Sequence, residues 1–136
     1  MNQKYIFLLC LIFFNNISAN IINDKTNITA ERIEYNQNSN EVSFLNNVQI
    51  NSNILSITAN TAIYNNESNL FSIKGLPSII KSNNSKRAFN GEADEILFFS
   101  DEKVHLIGNA NIKIDNMSIS SKLIIFNPIT GKIFSN

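Results

Sequence analysis

Two motifs return in step along this chain, and their period limits what it can fold into more than any other feature. Thr29-Ala30-Glu31-Arg32-Ile33-Glu34-Tyr35 reappears as Thr58-Ala59-Asn60-Thr61-Ala62-Ile63-Tyr64 and again as Glu92-Ala93-Asp94-Glu95-Ile96-Leu97-Phe98. A weaker copy is Ser120-Ser121-Lys122-Leu123-Ile124-Ile125-Phe126. The closing aromatics stand 29, 34 and 28 residues apart. A second motif opens six or seven residues after each aromatic, at Val42, Phe71, Val104 and Ile133, at intervals of 29, 33 and 29. A repeat of about this length means stacked supersecondary units, each unable to bury its apolar face alone. The sequence holds three full units and the start of a fourth. The extra residues of the longest interval fall in the polar stretch 82–87 (SNNSKR), the expected surface loop.

Inside the units the segments are short and alternating, as in Val42-Ser43-Phe44, Ile57-Thr58-Ala59 and Ile112-Lys113-Ile114, and Asn, Ser, Gly or Asp interrupts them. That pattern reads as half-buried strands. No long window carries helical spacing with a capping signal, so no long helix is expected. The 23 isoleucines favour packed β-structure, and the expected fold class is all-β.

Residues 1–19 differ from the rest. Lys4 precedes the apolar run 5–14 (YIFLLCLIFF), then Asn15-Asn16 and Ile17-Ser18-Ala19 ahead of Asn20, the pattern of a cleaved secretory signal peptide. A membrane span needs about 20 apolar residues, so a retained anchor is the weaker reading. The expected mature domain is then 20–136. Cys10, the one cysteine, follows bulky Leu9 inside the run, which does not suit lipid attachment. An exported chain without disulfides fits a bacterial periplasm. Eleven basic residues against eleven acidic ones leave no cationic field for a nucleic-acid backbone.

Constellations with catalytic or metal chemistry are weak. His105 is the only histidine and sits in the alternating Lys103-Val104-His105-Leu106, so it reads as a solvent-facing strand residue. Glu92, Asp94, Glu95, Asp101 and Glu102 lack the spacing of a calcium loop and read as solvated faces and turns. No serine lies in a nucleophile elbow. Lys81, Lys86 and Arg87 read as solvated charge, with contact to lipid phosphates as the alternative. Neither enzymatic activity nor a cofactor or metal is expected.

The Ala-acid pair before an aromatic, taken with Asn46-Asn47-Val48-Gln49-Ile50, Gly75-Leu76-Pro77 and Gly108-Asn109-Ala110-Asn111-Ile112, resembles the OstA/LptA-like domain of lipopolysaccharide transport over nearly all of residues 28–136. Two departures stand out. The acidic position after alanine becomes Lys122 in the fourth unit, and Asn46 stands where glycine is usual. Asparagine tolerates positive φ, which keeps a tight turn at Asn46 open.

The resemblance implies an open, twisted jelly-roll-like fold of two facing antiparallel sheets, with a groove between them for the acyl chains of lipopolysaccharide. It implies a periplasmic carrier that passes lipopolysaccharide from inner to outer membrane. The implied partners are lipopolysaccharide, copies of the chain itself and related domains of the inner- and outer-membrane components, joined head to tail by edge strands. The inward candidates by alternation are Ile33, Tyr35, Val42, Phe44, Val48, Ile50, Ile57, Ala59, Phe71, Ile73, Leu106, Ile112, Ile114, Ile119, Leu123 and Ile125. An acyl chain of about a dozen methylenes, at about 0.8 kcal/mol each, would gain on the order of 10 kcal/mol there relative to water. The segments near 28–35 and 132–135 carry little to block edge pairing.

Two other readings remain open at this level. The same inward residues suit a closed sandwich core in a structural or adhesive protein. A small outer-membrane barrel would need alternating strands of about ten residues with aromatic girdles, and these segments are shorter.

Overall fold

The computed structural model describes residues 26–83, 88–99 and 103–135. The expected leader, and residues 84–87 of the polar loop, lie outside the described residues. The strands are β1 (Asn27–Thr29), β2 (Arg32–Asn36), β3 (Glu41–Asn51), β4 (Leu55–Asn65), β5 (Leu70–Ser82), β6 (Phe89–Phe98), β7 (Val104–Ile114), β8 (Met117–Phe126) and β9 (Ile133–Ser135). They form one antiparallel sheet in the order β1-β3-β4-β5-β6-β7-β8-β9, with β1 and β2 on successive halves of β3. β1 and β9 end this path without pairing to each other, so the described sheet is not a closed barrel.

The repeated aromatic ends a strand, and asparagine builds the turn that follows. Asn36 Oδ1 accepts from the backbone N–H groups of Asn38 and Ser39 at 3.0 and 3.3 Å, and Asn65 Oδ1 accepts from Glu67 and Ser68 at 2.9 and 3.0 Å. Asn127 repeats the pattern with Ile129 and Thr130 at 2.9 and 3.1 Å. Each turn closes in the left-handed region, at Asn40 (φ 57), Asn69 (φ 52) and Gly131 (φ 76), which asparagine and glycine adopt most readily. Tyr35 and Tyr64 bond back to their own turns: the Tyr35 hydroxyl donates to Asn40 Oδ1 at 3.1 Å and that of Tyr64 to Asn69 Oδ1 at 3.0 Å. Burial pushes the Tyr64 phenol above its ordinary value of 10.0, since the phenolate would lose its water.

Asn69→Ala should therefore lose both the turn conformation and the partner of a buried hydroxyl, at about 2 kcal/mol. Asn69→Gly keeps the conformation and should cost less. Urea unfolding of the two variants checks this, and equal losses would contradict it.

The strands do not run straight. The pairing slips between Leu45 and Val48, Thr58 and Thr61, Lys74 and Ser78, Glu92 and Glu95, and Ile107 and Ala110, so the irregularities lie side by side across the sheet. This line is a crease. Asn46 (φ 64), Asn47 (φ 49), Gly108 (φ 79) and Asn109 (φ 46) make it on β3 and β7, so asparagine does supply the turn at position 46.

Folding along the crease brings distant strand ends together. Phe89 is opposite Ile114 at one end of β7, and Phe126 is opposite Val104 at the other. Ten residues of strand span about 33 Å. Yet the Phe89 and Phe126 rings meet edge to face, 4.7 Å between centroids. The two facing sheets expected from the sequence are thus two walls of one folded sheet.

The crease also explains the repeated Ala-acid pair. Side chains on the inside of a bend converge, and the buried positions there are small: Val48 opposite Ala59, Ser78 opposite Ala93, and Ala110 opposite the half-buried Ser121. The polar residue after alanine faces outward and ties the next strand's crease. Glu31 accepts from Asn47 Nδ2, Asn60 Oδ1 from the Leu76 N–H at 3.1 Å, and Asp94 Oδ2 from Asn109 Nδ2 at 3.1 Å. Lys122 breaks the pattern where no strand follows, because β9 pairs only with Ile124, Ile125 and Phe126.

Candidate functional site

The interior of the curl is the concentrated chemical feature of the described residues, and strand register gives its layout. One wall carries an inward row of Ile28, Ile50, Ile57, Ile80, Gly91, Ile112 and Ile119, each opposite the next across neighbouring strands. The other carries Ile33, Phe44, Ala62, Ile73, Ile96, Leu106 and Ile124. A third row, along the lip of that second wall, holds Tyr35, Val42, Tyr64, Phe71, Phe98, Val104, Phe126 and Ile133. Phe71 packs between Phe44 at 6.0 Å and Tyr64 at 5.8 Å.

Of the sixteen candidates the sequence offers, the structure buries ten in the interior: Val42, Phe44, Val48, Ile50, Ile57, Ala59, Phe71, Ile73, Leu106 and Ile112. Tyr35, Ile114 and Ile119 pack partly buried against it. Two expectations need correction, and one residue keeps its face without being buried. Ile33 faces inward opposite Phe44, but β2 is an edge strand and leaves it 47% exposed. Leu123 and Ile125 are on the outer face, opposite Ile107 and His105, while Ile124 and Phe126 are buried. Alternation carried on from Ile119 assumes an unbroken period of two, and the crease at β8 advances the phase by one residue.

The same phase change hid Tyr64, Phe98 and Phe126. Each had a signal in the sequence as a repeat aromatic. Between Ala59 and Ala62 on β4, and between Ala93 and Ile96 on β6, the inward positions step by three instead of two.

Among the described residues no charged side chain is buried in this interior. Asp94 is engaged at the crease, and Glu95 accepts from the Ser72 hydroxyl at 2.9 Å. His105 faces outward with its ring tilted against that of Phe99, 4.5 Å between ring centroids. Among the described residues, His, Cys, Asp and Glu form no group of three able to hold a metal ion. Lys81 is on the outer face; Lys86 and Arg87, like Asp101 and Glu102, lie outside the described residues.

An unclosed antiparallel sheet, creased into two walls around a charge-free apolar interior, defines an LptA-type curl. A family model described as LptA/(LptD N-terminal domain) LPS transport protein matches residues 27–132, and the chain belongs to that family. The crystal structure of LptH, the LptA-homologous periplasmic component of the lipopolysaccharide transport device of Pseudomonas aeruginosa, superposes with a TM-score of 0.73. Identity is 15%, over 82% of this chain and 81% of that one, which shows a shared fold. No curated protein matches the sequence significantly.

Proposed function

We propose that this chain is a periplasmic carrier that takes the acyl chains of lipopolysaccharide between its walls and works as one link of a head-to-tail bridge. The observation that carries the reading is the isoleucine row, which runs from one sheet edge to the other. Its end members, Ile28 and Ile119, are both only partly buried. A second copy added at the edge would bury them and extend the row. The edges match this: β9 pairs only with Ile124, Ile125 and Phe126 at the end of β8, so the wall that carries Ile119 is not covered by β9.

Charge favours the same polarity. Glu31, Glu34 and Glu41 outweigh Arg32 in the first third of the described chain, whereas Lys103, Lys113, Lys122 and Lys132 outweigh Asp115 in the last. Head-to-tail contact opposes unlike charges, and the reverse pairings oppose like ones.

A structural protein with a closed core is the second reading, favoured by how tightly the inner rows pack. The buried apolar residues are 0 to 7% exposed. An acyl chain entering here would gain chiefly from removing its own surface from water, because the walls already shield each other.

Bridging is tested by placing a photo-crosslinking residue at Ile119, with outward Lys113 as control, in the exported protein in cells. Protein adducts at 119 and none at 113 are expected. Their absence at 119 in folded protein would contradict edge addition.

A further inference from the structure

The curl is shut unevenly. At the β1–β2 side the inward residues Ile28, Ala30 and Tyr35 are only partly buried, and Ile33 is exposed. Across β6–β8 the walls touch at two depths. At the lip, Phe89 of one wall lies edge to face on Phe126 of the other, at 4.7 Å, and both rings are buried. One step deeper, Gly91 interrupts the isoleucine row. A Cβ there would stand 3.0 Å from Ile80 Cγ2 of the same wall and 3.4 Å from Leu106 Cδ1 of the opposite one, so at Gly91 the two walls lie only about one small side chain apart. Rings already in van der Waals contact leave no room for a methylene chain between them, and a gap one small side chain wide is too narrow for one.

We propose that Phe89 and Phe126 form a clasp that gates the interior: acyl chains enter at the β1–β2 side and must part this pair to reach β7 and β8. The inference rests on the carrier reading. An aromatic pair suits the role because its contact is apolar and modest in strength. Acyl methylenes can replace each ring's partner without leaving a polar group unsatisfied. Gly91 sets the depth of the waist, and the isoleucines on either side of it offer the same surface to a chain lying through it.

The test uses Cys10→Ala exported protein carrying Phe89→Cys and Phe126→Cys, joined by a short bis-methanethiosulfonate that a reductant removes. A photo-crosslinking residue sits at Ile57, on the entry side of the clasp, or at Ile112, beyond it, and purified lipopolysaccharide is the probe. With the link in place, an adduct is expected at 57 and none at 112, and reduction should restore the adduct at 112. Adducts at 112 in linked protein would overturn the clasp and leave the carrier reading intact. No adduct at 57, linked or reduced, would overturn both. Failure of the two thiols to link at all would contradict the contact itself. In Phe89→Leu, which keeps apolar volume but removes the aromatic pair, the adduct at 112 should form about fivefold faster. An unchanged rate there would also overturn the proposal.

Discussion

Phe71→Ala is expected to lower the unfolding free energy by about 3 to 5 kcal/mol, the range for a large aromatic removed from a packed core. Phe71 is 1% exposed, opens β5 beside Tyr64 and lies against Phe44 from two strands away. Its removal would take contacts from three strands of one wall at once. The neighbours that could fill the space, Tyr64 and Phe98, are fixed opposite it by strand pairing, so the cavity should persist. A domain of this size has a total stability of about 5 to 15 kcal/mol, so the variant should unfold at much lower urea. A loss below about 1 kcal/mol would mean that this wall repacks freely and is not the rigid surface described.

Gly108→Ala should cost about 3 kcal/mol through two separable terms. At φ +79 the backbone is in a region that penalises any Cβ, and the new methyl would stand 2.7 Å from Asp94 Oδ2 and 3.2 Å from Asp94 Cβ. Asp94 cannot simply swing away, because it accepts the Asn109 side-chain bond that ties the crease between β6 and β7. Gly131 provides the control. It has φ +76 and nothing within 4 Å of a Cβ, so Gly131→Ala should show the backbone penalty alone, about 1 to 2 kcal/mol. Equal losses at the two positions, measured by urea unfolding, would contradict the role given to Asp94.

Much of this architecture was legible in the sequence because the repeat is physical. Each recurring element has a job that needs its residue type: the aromatic closes a lip, asparagine makes the turn, alanine fits inside the crease, and the acid or amide after it ties the neighbouring strand. Reading Thr58-Ala59-Asn60 and Glu92-Ala93-Asp94 as copies was sufficient to set the unit, and the structure supplies the reason for the copying. The wealth of asparagine also gains a cause, since Asn36, Asn65 and Asn127 each hold a turn.

What was not legible is phase across the crease. A bend that steps the inward face by one residue is invisible to a rule of alternation, which is why alternation puts Leu123 and Ile125 on the face that belongs to Ile124 and Phe126. Exposure at an edge was equally out of reach. Ile33 has the right parity and the wrong surroundings, because nothing in its own segment says that β2 has a neighbour on only one side. Sequence was also silent on whether the walls touch, a matter of the Phe89–Phe126 contact between residues 37 positions apart.

Whether lipid reaches the interior is the central question, and one pair of adjacent positions tests it most directly. Ile57 is buried in the middle of the isoleucine row, and Thr58, the next residue, is exposed on the outer face. A photo-crosslinking residue is placed at each in turn, in the exported protein in cells that make lipopolysaccharide, and adducts are probed for lipopolysaccharide and for phospholipid. The carrier account predicts a lipopolysaccharide adduct at 57 and none at 58. Folded protein with no lipid adduct at 57, or with adducts equally at both, would contradict it and leave a closed curl whose role lies at its edges.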